Sequence, residues 1–182
     1  GFFISEGVFP ISPEITMTSS TSLPTPMLHL LCGKIGSGKS TLAAQLAGQP
    51  HTLLISEDAW LAALYPGEIS ALPDYVRCAG RLRQAMADHV RALLAAGLSV
   101  VLDFPANTLA QRAWARGLID RAGVPHRLHF LDVPDAVCKD RLRARNALAE
   151  HPFDTSDEQF DLISSYFVAP RDSEGFDVVR HA

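Results

Sequence analysis

A chain of 182 residues, 47% hydrophobic and 20% charged, is long enough to bury one core unaided and reads as soluble and globular. Its formal net charge of -4 supplies no overall field for binding nucleic acid, so any basic site must be local. The three cysteines, Cys32, Cys78 and Cys138, are widely spaced and outside any Cys-x-x-Cys pattern, which argues for a reducing compartment over a disulfide framework.

Residues 1–26 carry Pro10, Pro13, Pro24 and Pro26 and a Ser/Thr cluster from Thr16 to Ser22. This composition suits an extended arm, or a leader added to a natural chain that starts at Met17. The apolar opening Gly1-Phe2-Phe3-Ile4 lacks the basic flank and long apolar centre of a signal peptide, and no run approaches bilayer length, so the expected location is the cytoplasm.

From Met27 onwards, in one domain spanning 27–182, strands and helices alternate. Met27–Cys32 reads as the first strand. Gly33-Lys34-Ile35-Gly36-Ser37-Gly38-Lys39-Ser40 follows, with Thr41 after it, and fits G-x-x-x-x-G-K-[ST] between that strand and a helix-forming run to Ala47. Such a loop curls its backbone N–H groups around phosphate at a helix N-terminus; Lys39 reaches the outer phosphates and the Ser40 hydroxyl is suited to magnesium. His51–Ser56 reads as a second, fully buried strand.

A long helix is expected over 73–96, because Val76, Ala79, Leu82, Met86, Val90 and Leu93 recur at three and four and Gly97 stops it. Leu98–Leu102 is the third strand, Asn107 begins a helix to Ala122, and Arg127–Leu131 is the fourth strand. His126 and His129 flank that strand at a spacing that puts them on opposite faces, which is no zinc pattern. Pro134 opens the next helix, Thr155 with Glu158 suggests a capping box for a last helix through Tyr166, and Phe176–Arg180 is a short final strand. Five strands with intervening helices predict an α/β fold whose parallel sheet is covered on both faces.

Ligands of open parallel sheets sit outside the carboxyl ends of the strands. The second strand ends at Ser56-Glu57-Asp58 and the third at Asp103-Phe104-Pro105. Phosphoryl transfer needs one carboxylate to take a proton from the attacking hydroxyl, here assigned to Asp58, and one to orient magnesium, here Asp103 beside Ser40. Glu57 is explained by the dipole at the start of the helix 59–64.

On the helix from Pro134, Lys139 and Arg143 have Asp135 and Asp140 at helical spacing, whereas Arg141 and Arg145 lie one turn apart with no acid at helical spacing within that helix. The nucleotide phosphates are their expected partner, an exposed basic face the alternative. The polar stretch Asn146–Ser156 completes a lid over about 134–156. Arg77, Arg81 and Arg91 face away from the apolar stripe of the long helix, while Arg83 at its edge either snorkels or reaches the substrate cleft, where Trp60 and Phe104 are the other candidate lining residues.

Four segments together resemble the zeta-toxin and polynucleotide-kinase-like P-loop kinases, often labelled AAA-domain ATP-binding proteins: Gly-Lys-Ile-Gly-Ser-Gly-Lys-Ser-Thr at 33–41, Ser-Glu-Asp-Ala-Trp at 56–60, Val-Val-Leu-Asp-Phe at 100–104 and Asp-Arg-Leu-Arg-Ala-Arg-Asn at 140–146. The resemblance implies a three-layer P-loop NTPase fold, strand order 2-3-1-4-5, a short helical lid, Asp58 as activator of the acceptor hydroxyl, and Arg141 and Arg145 as lid arginines on the phosphates. Polynucleotide kinases continue from the third-strand Asp into a Thr-Asn pair; this chain reads Asp103-Phe104-Pro105-Ala106-Asn107.

The expectation is therefore a phosphotransferase moving the γ-phosphate of ATP, or another NTP, with Mg²⁺, to a hydroxyl of a small-molecule or nucleotide-like acceptor. Nucleic acid and membrane are not expected as partners. Two alternatives stay open at this point: a nucleotide-binding switch or ATPase acting on a protein, and a zeta-like toxin kinase acting on a sugar nucleotide.

Overall fold

The structure is a computed structural model that describes residues 24–148 and 155–181. All of the expected arm but residues 24–26, and part of the expected lid, lie outside the described residues. The elements run β1 Leu28–Cys32, α1 Lys39–Ala47, β2 Thr52–Ser56, α2 Glu57–Leu64, α3 Leu72–Ala95, β3 Ser99–Pro105, α4 Leu109–Ala122, β4 His126–Leu131, α5 Asp135–Leu148, α6 Asp157–Ser164 and β5 Val178–His181, with a 3₁₀ turn at Asp172–Glu174.

The five strands form one parallel sheet in the order β2-β3-β1-β4-β5, as the resemblance implies. β1 is central, and its near-continuous apolar run is buried on both faces. Leu28, Leu30 and Cys32 point with Val100, Leu102, Phe104, Leu128 and Phe130 towards Cys78, Ala79 and Leu82 of α3 and Ala115, Leu118 and Ile119 of α4. On the other face Leu31 and Val101 meet Leu42, Ala43 and Leu46 of α1. The β1–β3 register breaks between Leu30 and Leu31, so the carboxyl ends of the two strands part where the loop after β1 begins.

Three expectations need correction. β2 is an edge strand, with Leu53 and Leu54 at 42% and 40% exposure, so its unbroken apolar run does not mark a fully buried strand. Val76 lies outside the buried stripe of α3, which is carried by Cys78, Ala79, Leu82, Val90 and Leu94. The capping box of α6 is Ser156 with Gln159, one residue on from Thr155 with Glu158.

On the α1 side of the sheet, His29 Nδ1 lies 3.0 Å from His129 Nε2, and His129 Nδ1 lies 3.0 Å from His181 Nε2. The three rings cross β1, β4 and β5 as one hydrogen-bonded row. His129 is 4% exposed, and its burial, with His29, His181 and Arg127 on the same face, lowers its pKa from 6.5 to about 4 while Asp177 opposes weakly. Between those values the unfolded chain binds the proton and the folded chain does not. Stability present above pH 6.5 is therefore lost as the pH falls towards about 4, by up to about 3 kcal/mol. Urea midpoints of His129→Gln are expected to be flatter over this window than those of the parent; equal slopes would place the acid sensitivity elsewhere.

Candidate active site

The loop after β1 is built for an anion. Gly38 is the N-cap of α1 at φ 100°, and α1 has no side-chain cap and no acid in its first turn. By contrast α2, α4 and α6 are capped by Ser56, Thr108 and Ser156. The first N–H groups of α1 are thus left to a ligand, where the helix dipole favours negative charge. The Ser37 hydroxyl, on a residue 3% exposed, is a buried polar atom with no partner among the described residues. At Gly36, φ 77°, an added Cβ would stand 2.6 Å from the Cys138 carbonyl oxygen, so a side chain is excluded by space as well as by conformation.

Neighbouring elements hold this loop. Asn107 Oδ1 accepts from the Gly33 N–H at 2.9 Å, and the Asn107 N–H in turn donates to Gln111 Oε1 at 2.9 Å. Ile35 packs with Cys138, Leu142, Phe160 and Val133. Lys34 pairs with Asp135, and Arg141 Nη1 donates to the Ser37 carbonyl at 3.1 Å. Asp135 therefore goes to Lys34, and Lys139 finds Asp161 at 2.7 Å instead of the expected intrahelical partner. Arg143 meets Asp140 as its spacing predicts, and Asp157 besides. The first turns of α5 buttress the loop from the side; residues 149–154 of the expected lid lie outside the described residues.

Lys39 Nζ lies across the loop, donating to the Gly33 and Lys34 carbonyls at 2.7 and 2.9 Å. Burial lowers its pKa, while the carboxylates of Asp103 and Asp58 act in the opposite sense. Burial raises the Asp103 carboxyl, with the Ser40 hydroxyl donating to it and Lys39 nearby both pulling it back. The expected constellation of Lys39, Ser40, Asp58 and Asp103 is thus one electrostatic cluster at the carboxyl ends of β1, β2 and β3. Ser40 is solvent-exposed and Asp103 half-buried, an accessible pair of oxygen donors of the kind magnesium takes.

Glu57 has a larger role than helix-dipole chemistry. It is 1% exposed, accepting from Tyr75 Oη at 2.5 Å and Arg83 Nη2 at 2.8 Å. Burial raises its pKa; Arg83 and Tyr75 counter that shift, and the Tyr75 hydroxyl is itself held well above its ordinary value, chiefly by burial and by Glu57. Arg83 is therefore engaged with α2. Trp60 is 40% exposed on α2, whereas Phe104 is a core residue stacked on Trp114 with centroids 6.1 Å apart, so the structure does not bring it to an open cleft. A cavity of about 290 Å³ lies beside the loop, lined by Ser37, Leu131, Val133, Pro134, Val137, Arg141 and His181.

Asn107 and Arg112 are the site-supporting residues that sequence reasoning missed. Asn107 reads as a helix start; its hold on Gly33 spans 74 residues and leaves no local pattern. Arg112 is fully buried and reads as one more polar residue of α4.

Solved structures share the fold. The chain superposes on a protein assigned as a kinase from Chloroflexus aurantiacus with TM-score 0.68 at 20% identity, over 86% of this chain and 85% of that one. Chaetomium thermophilum Kti12, in complex with ADP-AlF3, gives TM-score 0.64 at 16% identity over 86% and 89%. Mycobacterium tuberculosis APS kinase CysC, in complex with AMPPNP and APS, gives 0.58 at 21% identity over 87% and 88%. No curated protein matches the sequence. The signature of an AAA domain, AAA_33, matches residues 28–170, and the chain belongs to that family.

Proposed function

We propose that the chain is an ATP-dependent phosphotransferase acting on a hydroxyl of a small molecule. What supports this reading is the sheet order β2-β3-β1, which sets Asp58 after β2, Asp103 near the end of β3 and Lys39 after β1 at adjoining strand ends. The loop N–H groups and Lys39 bind the outer phosphates, and Arg141, which donates to the Ser37 carbonyl of the loop, joins them there. Arg145 follows one turn later on α5. The cavity lined by Val133, Pro134 and Val137 suits the donor's nucleoside.

Ser40 and Asp103 would hold magnesium, which when bound neutralises charge on the phosphates. As the acceptor oxygen bonds to the γ-phosphorus and the bond to the ADP oxygen breaks, Asp58 takes the hydroxyl proton. Lys39 and the α1 N-terminus stabilise the charge on the transferring group.

The test is transfer of label from γ-labelled ATP into pooled acceptors, sugar nucleotides among them. The expected result is a labelled acceptor formed in equal amount with ADP. Hydrolysis stimulated by a protein, with no labelled acceptor, would replace this reading with a switch acting on that protein.

A further inference from the structure

The residue before Asp58 holds an arginine that is already committed. Arg83, on α3, donates to Glu57 at 2.8 Å, and Tyr75, also on α3, donates to the other oxygen of the same carboxylate. Glu57 directly precedes Asp58 at the end of β2 and is 1% exposed, and the Arg83 side chain is 15% exposed, so this ion pair is largely withdrawn from solvent. A phosphate or sulfate on the acceptor is best held by an arginine fork or a lysine free to bind it, and the N-terminus of α2, capped by Ser56 and carrying two acids, offers no substitute. Drawing Arg83 away would strand a buried carboxylate, which is strongly unfavourable.

The other described cations of these elements do not replace it. α2, with sequence Glu-Asp-Ala-Trp-Leu-Ala-Ala-Leu, carries none. Arg77 and Arg91 are exposed and bonded to Asp74 and Asp88 at 2.9 and 2.8 Å, and Arg81 is exposed on the side of α3 away from Ala79 and Leu82. Lys39 belongs to the phosphate loop. What the acceptor side does present is the Asp58 carboxylate, which disfavours a second anion beside it and tolerates a cation.

Resting on the phosphotransferase reading above, we infer that the acceptor is an alcohol with no anionic group of its own, neutral or cationic: a nucleoside, sugar or amino sugar and not its phosphate ester. In the transfer the acceptor oxygen gains the phosphoryl group, ADP leaves with the bridging oxygen, and the hydroxyl proton passes to Asp58.

The experiment offers the full chain ATP and two matched pools at equal concentration. One contains nucleosides, hexoses and amino sugars; the other contains their phosphate monoesters. Mass spectrometry reads which members gain a phosphoryl group. Products confined to the first pool support the inference. Products mainly from the phosphate monoesters overturn it and leave the kinase reading standing, whereas no product from either pool, with ATP hydrolysis retained, overturns the kinase reading and this inference with it. Glu57→Gln, which releases Arg83, is expected to shift the ratio of the two product classes at least about tenfold towards the monoesters, and Tyr75→Phe, which keeps the ion pair, is not. An unchanged ratio in folded Glu57→Gln overturns the role given to Arg83.

Discussion

Asp58→Asn is expected to slow phosphoryl transfer by about 10²–10⁴-fold, the usual worth of a positioned general base, while leaving ADP affinity nearly unchanged. The substitution keeps the shape of the side chain and removes its capacity to take a proton. It costs α2 little, because the helix is capped by Ser56, whose hydroxyl accepts from the Ala59 N–H, and because Glu57 still supplies an acid to its first turn. Lys39 loses the lesser of the two carboxylates that oppose its desolvation and keeps Asp103. Asp103→Asn is the useful contrast: Ser40 donates to that carboxyl, so this variant is expected to weaken magnesium-dependent nucleotide binding as well as transfer. Initial rates with a productive acceptor, set beside calorimetric ADP affinities, check both. Transfer by Asp58→Asn within about threefold of the parent would remove the residue from the base role.

The fold was legible where a segment's pattern and its environment agree. The strand–loop–helix around Lys39, the long period of α3 and the stop at Gly97 are local signals, and the elements fall within a residue or two of their expected ends except β3, which runs three residues past Leu102 to Pro105. β2 misleads because an apolar run records only that a strand is apolar, while exposure at Leu53 and Leu54 is set by its place at the sheet edge. In the site, the residues that meet the phosphates are readable because the loop fixes their spacing. Their supports are not. Asn107 on Gly33, Arg83 on Glu57 and Arg112 on Glu174 join positions 74, 26 and 62 residues apart, and an arginine that will be buried looks in sequence like one that will be solvated. The histidine row is of the same kind: three unrelated positions become one chain only after β4 pairs with both β1 and β5.

Arg112→Ala is expected to be the most destabilising single substitution considered, by about 3–5 kcal/mol, because it breaks a buried ion pair from one side. Arg112 has no exposed surface; Nε and Nη2 hold both Glu174 oxygens at 2.6 and 3.0 Å, and Nη1 bonds the carbonyls of Ala106 and Val168 at 3.0 and 2.7 Å. One guanidinium thus ties the end of β3, the segment after α6 and the turn before β5. Truncation leaves two carbonyls without this donor, and leaves Glu174, held below its ordinary pKa chiefly by this arginine, with the Arg171 N–H at 2.9 Å and partial solvent. A loss of this size is a large share of the roughly 5–15 kcal/mol available to a domain, so urea unfolding should reveal it as a strongly lowered midpoint. Arg112→Met with Glu174→Gln removes both charges and should recover much of the loss, which separates the stranded charge from the lost packing. The same pair of variants reaches the site. Val168 N–H donates to the Asn107 carbonyl at 2.8 Å, beside the Ala106 carbonyl that Arg112 holds, and it is the Asn107 side chain that holds the Gly33 N–H. The folded double variant should therefore bind ADP more weakly than the parent. Parental affinity in that variant would show that Asn107 keeps the loop in place without Arg112 behind it, and a loss below about 1 kcal/mol in Arg112→Ala would show that the clasp is not what holds these segments together.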